Sequence, residues 1–199
     1  EAACLTTAGV TAWRALMEQH DSLSGKTVLL IGSGGVSLFG LQLAKAAGAK
    51  VIITSSSDEK LERLIALGAD HGINHARQPE WGKVAHELSG GVDIILETGG
   101  PGTLPQSIEA AAIGGCIALI GVLSGFSGEV PTARMMAKQV TIRGITVGSR
   151  AHQMALVRMM EDHGIHPVID RRFALAEIAD AFRYQMSGAH LGKICLVDG

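Results

Sequence analysis

Residues 27–49, TVLLIGSGGVSLFGLQLAKAAGA, constrain the fold more than any other part of the chain. A short apolar run, Val28–Ile31, meets a glycine-rich turn, and an amphipathic apolar segment, Gly35–Ala47, follows at once. The pattern predicts strand, tight turn, helix. The turn, Gly32-Ser33-Gly34-Gly35-Val36-Ser37, has the spacing G-x-G-x-x-G with serine in the last place. Gly32 lets the backbone turn sharply off the strand, and Gly34, without a Cβ, lets a pyrophosphate approach the main chain. The helix start adds unpaired N–H groups and a positive dipole end. Ser37 departs from the pattern where helix packs on strand, a place that demands a small residue. A second strand, Lys50–Thr54, follows, so the segment reads as a dinucleotide-binding turn formed by Gly32, Ser33, Gly34, Gly35 and Val36.

Strand and helix signals alternate along the rest of the chain. A helix is expected over Thr6–Gln19, then strand Thr27–Ile31 and helix Gly35–Ala47 closed by Gly48. Strand Val51–Thr54 precedes helix Asp58–Leu67, capped by Ser57 or Asp58 and ended by Gly68. His71–Asn74 is a short strand, Pro79–Leu88 a helix, Val92–Glu97 a strand, Leu104–Ala112 a helix and Cys116–Gly121 a strand. Ser124–Glu129 is a loop, Val140–Val147 a strand interrupted by Gly144, and His152–His163 a helix. This rhythm implies an α/β fold of the Rossmann type, a doubly wound parallel sheet of about six strands with helices on both faces. The tail breaks the rhythm with a strand-like segment in His166–Arg172, a helix over Leu175–Ser187 and a last strand, Lys193–Val197.

Composition agrees with one compact domain. Glycine accounts for 26 of 199 residues, above the usual ~7%, and aromatics for only 4%, which suits a buried parallel sheet with closely packed helices. A net charge of −2 gives no general electrostatic basis for binding nucleic acid or an anionic membrane. The apolar runs fall well short of the ~20 residues that span a bilayer, and, with no charged and then apolar opening segment, no secretory signal is expected. Cys4, Cys116 and Cys195 are widely spaced and odd in number, so a disulfide framework is not expected and a reducing cytoplasm is the default. The first residue is Glu1 rather than Met, which reads as a processed start or a piece of a longer protein.

Ligands of open α/β sheets bind beyond the carboxyl ends of the strands. Those ends carry small residues throughout: Gly32–Ser37, Thr54–Ser57, Glu97–Gly100, Ile120–Val122 and Val147–Ser149. A ligand lying flat across that edge accounts for the pattern better than ordinary loop chemistry. At the end of strand two, where an NAD site places an acidic residue for the ribose diol, the chain has Ser55, Ser56 and Ser57. These hydroxyls, with Lys60 and Arg63 nearby, suit a 2′-phosphate. NADP(H) is therefore favoured over NAD(H), although Asp58 and Glu59 stand close by.

Other chemistries lack an anchor. The histidines, including His71, His75, His86, His163 and His166, form no metal-ligand spacing, there is no G-x-S-x-G elbow, and no Walker lysine follows the glycines. The methionine pairs Met135-Met136 and Met159-Met160 read as packing.

The segments TAGVTAWRAL, VLLIGSGGVSLFGLQLAKAAGAKVI, TSSSDEKLERLIALGAD, VDIILETGG, IALIGVLSGF and LGKICLV resemble the cofactor-binding domain of the medium-chain dehydrogenase/reductases. The nearest branch is the quinone-oxidoreductase and zinc-type alcohol-dehydrogenase-like proteins. The resemblance runs in order over nearly the whole chain. It implies pyrophosphate contact for Gly32, Gly34, Gly35 and Val36, and selection of the adenosine end by Ser55, Ser56 and Lys60. It implies nicotinamide contact for Thr98, Gly99, Gly121, Val122, Val147, Gly148 and Ser149, and a cofactor contact for Lys193. One departure is His75, where the branch often has tyrosine.

The resemblance also implies an N-terminal GroES-like domain that supplies most substrate contacts and zinc ligands. The chain 1–199 lacks it, and residues 167–199 resemble the part that returns towards it. Cys4 lies near the place of a third zinc ligand in zinc-dependent relatives, yet alone it makes no site; a buried apolar role is expected and zinc is not.

The expected activity is hydride transfer between a nicotinamide and a carbonyl, quinone or activated alkene in the longer protein. A small molecule would be the substrate, and strand six is a candidate edge for a homodimer. No general acid stands out, so no catalytic residue is assigned. The rival readings are a non-catalytic nucleotide-binding or sensor protein and an enoyl-reductase module of a multidomain synthase.

Overall fold

The computed structural model describes residues 1–198. Its frame follows from residues that alternate between two faces of one sheet. Strands β1 (Thr27–Leu30), β2 (Lys50–Ser55), β3 (His71–Asn74), β4 (Val92–Glu97), β5 (Ala111–Leu119) and β6 (Thr141–Gly144) pair in the order β3-β2-β1-β4-β5-β6. Every pairing is parallel. Parallel strands need crossovers, and helices α2 (Gly35–Ala46), α3 (Asp58–Ala66), α4 (Trp81–Ser89) and α5 (Leu104–Ala110) provide them. Because strand side chains have period two, Val28, Leu30, Val51, Ile53, Ile94 and Leu96 enter one core with α2. Leu29, Ile52, Ile95 and Ile117 enter the other with α4 and α5. Each fully buried aliphatic side chain contributes on the order of 1.5–3 kcal/mol relative to exposure.

Helix α1 (Val10–Met17) and helix α7 (Arg150–His163) cover the first core beside α2. The packing there is close. A Cβ on Gly40 would lie 2.9 Å from a Leu30 methyl and 3.1 Å from one of Leu96, so the glycine lets α2 seat on β1 and β4 without displacing those methyls. Phe39, 1% exposed, occupies the neighbouring space.

The expected elements are present, with shifted ends. Helix α5 stops at Ala110 because Ala111 turns to extended backbone, and β5 begins there, five residues before the expected Cys116. Helix α4 begins at Trp81, two residues beyond Pro79. Strand β6 ends at Gly144, and a short helix, α6 (Thr132–Ala137), stands in a stretch with no helical expectation. The tail forms its own layer: β7 (Ile169–Ala174) and β8 (Lys193–Val197) pair in parallel around helix α8 (Ile178–Met186). Gly199, the last residue of the expected tail, lies outside the described residues.

Candidate cofactor site

The strand order changes direction between β1 and β4, both of which run the same way, and their carboxyl ends leave a crevice there. The glycine turn after β1 fills one wall. Gly32 has φ +79°, the left-handed region that a side chain disfavours, and its N–H donates to Thr54 Oγ1 at 3.1 Å. The Ile31 carbonyl accepts from Ser37 Oγ at 2.8 Å and from Thr98 Oγ1 at 3.0 Å. These bonds tie the turn to β2, α2 and β4. They also give Ser37 a positive role beyond being small.

The geometry fits a phosphate group. Cβ atoms built on Gly32 or Gly34 would meet nothing within 4 Å, so the main chain there faces open space. Gly34 caps α2 without a side-chain hydrogen bond, so its own residue places no side chain over the amides of the helix start. The cleft in front has a volume of about 370 Å³ and is walled by Gly32 to Ser37, Lys60, Thr98, Leu123, Gly188 and His190. No carboxylate is among these lining residues.

Lys60 supplies the cation. Its Nζ donates to the Gly188 carbonyl and, at 2.8 Å, to that of His190, which leaves one of its three donors for the cleft. Burial pulls the Lys60 ammonium below the usual lysine range, against the opposing pull of Asp170. Burial, reinforced by Lys60, likewise lowers His190, which favours its neutral form. Arg63, expected beside Lys60 at the adenosine end, lies outside the cleft lining and pairs with Asp170 at 3.0 Å. Asp58 and Asn74 are also engaged, Asp58 with Arg77 at 2.6 Å and with Asn74 at 2.5 Å.

The sequence-expected residues fall into three groups. Gly32, Ser33, Gly34, Gly35, Val36, Lys60 and Thr98 converge on the cleft. Lys193 joins them through its side chain, whose Cδ would lie 2.6 Å from a Cβ on Gly35. Ser55 and Ser56 lie at the end of β2 outside the cleft lining: Ser55 is buried and its Oγ accepts from Ser57 N–H at 3.2 Å, and Ser56 is exposed.

Gly99, Gly121, Val122, Val147, Gly148 and Ser149 follow β4, β5 and β6 along the same edge, beyond that lining. A Cβ on Gly121 would stand 2.1 Å from the Thr98 carbonyl oxygen. Val147 has φ +47°, a strained conformation for a β-branched residue. Arg14 steadies it by donating to the Thr146 carbonyl at 3.2 Å and the Val147 carbonyl at 3.5 Å. Arg14 is held in turn by Glu18 at 2.9 Å, whose carboxyl its hydrogen bond keeps below the usual range. The Ser149 hydroxyl accepts from His152 N–H and caps α7.

Several residues that shape the site gave no sequence signal. His190 and Gly188 enter from the loop before β8. Gly192 N–H donates to Ser33 O at 2.9 Å and so docks β8 on the turn. Glu97 is fully buried, and its carboxylate accepts from the amides of Gly99 (2.8 Å) and Gly100 (3.1 Å) and from the hydroxyls of Thr103 and Ser107. Cys4, expected as a buried residue, is 3% exposed, and its Sγ lies 3.5 Å from that of Cys195.

Residues 35–162 match the family model described as zinc-binding dehydrogenase. The chain belongs to that family. Within it, this domain is of the medium-chain dehydrogenase/reductase type. It is 42% identical to the zinc-type alcohol dehydrogenase-like protein of Schizosaccharomyces pombe, over 98% of this chain and 59% of the relative. It superposes on an NAD-dependent alcohol dehydrogenase with TM-score 0.91 at 33% identity, covering 100% of this chain and 59% of that one. It superposes on the 2-octenoyl-CoA carboxylase reductase CinF, in complex with NADP and 2-octenoyl-CoA, with TM-score 0.92 at 27% identity, covering 100% and 49%.

The chain thus spans less than two thirds of these proteins. Among the described residues there is no group of three or more metal-ligating side chains, and no helix is long and apolar enough to cross a membrane.

Proposed function

We propose that this chain binds NADP(H) across the carboxyl edge of the sheet and orients the nicotinamide for hydride transfer in a longer oxidoreductase. The substrate class is a carbonyl, quinone or activated alkene. The observation that carries the reading is the cleft: open main chain at Gly32 and Gly34, a helix start with no side-chain cap, and Lys60 on a wall without a carboxylate. The NADP complex of CinF supports it, while the NAD-dependent relative shows that the fold itself accepts either cofactor.

When bound, the cofactor supplies the hydride. Gly32 to Val36 receive the pyrophosphate on backbone amides, and Lys60 offers its free N–H to the 2′-phosphate. Ser55 and Ser56 border that end through backbone placement and an exposed hydroxyl. Lys193 and Thr98 stand at the middle of the cofactor. Gly99, Gly121 and Val122, together with Val147, Gly148 and Ser149, form the ledge for the nicotinamide half. Exposed apolar residues on the tail layer, including Phe182 and Met186, fit a face that a preceding domain covers. Strand β6 pairs only with β5 in the sheet, and its outer edge suits a second copy of the chain.

Titration with NADPH and NADH, followed by nicotinamide fluorescence, tests the reading. Tighter NADPH binding is expected. A preference for NADH keeps the turn and refutes the 2′-phosphate assignment; binding of neither by the full-length protein refutes the cofactor site.

A further inference from the structure

Two of the three cysteines meet across the fold. Cys4, in the short turn Ala2–Cys4, and Cys195, on β8, are 191 residues apart in sequence, and their sulfurs are separated by 3.5 Å. Both pack against the core that holds α1 and α2. Both are free thiols, Cys4 buried and Cys195 half-buried. We propose that Cys4 and Cys195 form a peroxide-reactive dithiol, whose oxidation to a disulfide couples the thiol state of the protein to the cofactor cleft.

The chemistry divides between the two sulfurs. Burial, and next the neighbouring thiol, raise Cys4 above the usual range, against a lesser pull from Lys193. Cys4 is therefore the thiol held in reserve, and the more accessible Cys195 reacts first. The Cys195 thiolate attacks one oxygen of hydrogen peroxide; the O–O bond breaks, giving a sulfenic acid and hydroxide. The Cys4 sulfur then attacks the Cys195 sulfur. An S–S bond forms, the S–OH bond breaks, and the oxygen leaves as water with the Cys4 proton. Two thiols lose two electrons in all, and one peroxide becomes two waters. The sulfurs must close by about 1.5 Å to reach a disulfide length of ~2.05 Å.

The coupling follows from what the two segments touch. Cys4 leads into Ala8, and Cys195 follows Lys193 by two residues. A Cβ on Gly35 would lie 3.2 Å from the Ala8 Cβ and 2.6 Å from the Lys193 Cδ, so both segments bear on the glycine turn. Gly192 N–H fixes β8 to Ser33 O. Drawing Cys195 towards Cys4 pulls these supports together at a place with no spare room. The disulfide form is expected to bind dinucleotide at least threefold more weakly, a consequence that rests on the proposed cofactor reading.

The test uses the full-length protein carrying this chain. It is treated with a small excess of hydrogen peroxide, its remaining thiols are alkylated, and it is digested without reduction for mass spectrometry. A cross-linked peptide joining Cys4 to Cys195, about 2 Da lighter than the two thiol peptides together, is expected. Cys116→Ser retains it; Cys4→Ser and Cys195→Ser each abolish it. Free, alkylated Cys4 beside a sulfinic or sulfonic Cys195 overturns the proposal, as does a cross-link through Cys116. NADPH titration of both forms completes the test. Equal affinities overturn the coupling, whereas failure of both forms to bind, with the cross-link intact, counts against the cofactor reading alone.

Discussion

Replacing Glu97 tests how the ledge beyond β4 is built. Its side chain is fully buried, and four donors converge on it: the amides of Gly99 and Gly100 and the hydroxyls of Thr103 and Ser107. Glu97→Ala removes the acceptor from all four. The hydroxyls can turn, and Thr103 already has a second acceptor in the Gly100 carbonyl at 3.2 Å. The amides are fixed by the turn and cannot. Each buried donor left unpaired costs about 1–3 kcal/mol. Two amides plus the cavity therefore cost roughly 3–5 kcal/mol, the range seen when one partner of a buried charged contact is removed.

Glu97→Gln is the informative control. Its amide oxygen can take the position that receives the Gly99, Gly100 and Thr103 donors, and its NH2 can donate to a rotated Ser107 hydroxyl. Only charge assistance is lost, about 1–2 kcal/mol. With a urea slope of roughly 2 kcal/mol/M, the midpoint falls by roughly 1.5–2.5 M for the alanine variant and under about 1 M for glutamine. An alanine variant within about 1 kcal/mol of the parent, or two variants of equal stability, refutes the reasoning.

Three further outcomes are expected. Lys60→Met weakens NADPH binding by about tenfold, the worth of one partly exposed charge-assisted contact, and leaves NADH within about twofold; parallel losses by fluorescence titration point instead to the loop at Gly188–His190. Gly121→Ala places a Cβ 2.1 Å from the Thr98 carbonyl oxygen, so backbone must move, and urea unfolding should show a loss of at least ~2 kcal/mol; a neutral variant contradicts the close approach. His20 and His190 are both lowered, chiefly by burial, so the unfolded chain takes up their protons first as pH falls below about 6.5. The stability they contribute is present above that pH and lost as pH drops towards their folded values. The urea midpoint should decline from pH 7.5 to 5.5 and decline less in a His20→Asn/His190→Asn double variant; identical slopes refute this assignment.

The local physics of single segments was legible in the sequence. A strand that ends in Gly32 and a helix that begins at Gly35 follow from periodicity and from backbone that only glycine accepts readily. The α/β alternation followed in the same way, because each period is set by neighbours a few residues apart. Ends were less legible where two signals compete, as at Ala111, where the run Ala110–Ala112 straddles the end of α5 and the start of β5. Partners distant in sequence decided the rest. Arg63 looked free for a phosphate until folding brought Asp170 beside it. His190 and Gly188 reach the cleft only because β8 docks on Ser33 through Gly192. Glu97 read as the last residue of a strand, and its role as the acceptor for a whole turn depends on where Thr103 and Ser107 come to rest. The sequence by itself determined a glycine turn between strand and helix and the family that uses it. Tertiary structure alone decided which charges remain unpaired and which two thiols meet, since both depend on distances between segments that no local pattern encodes.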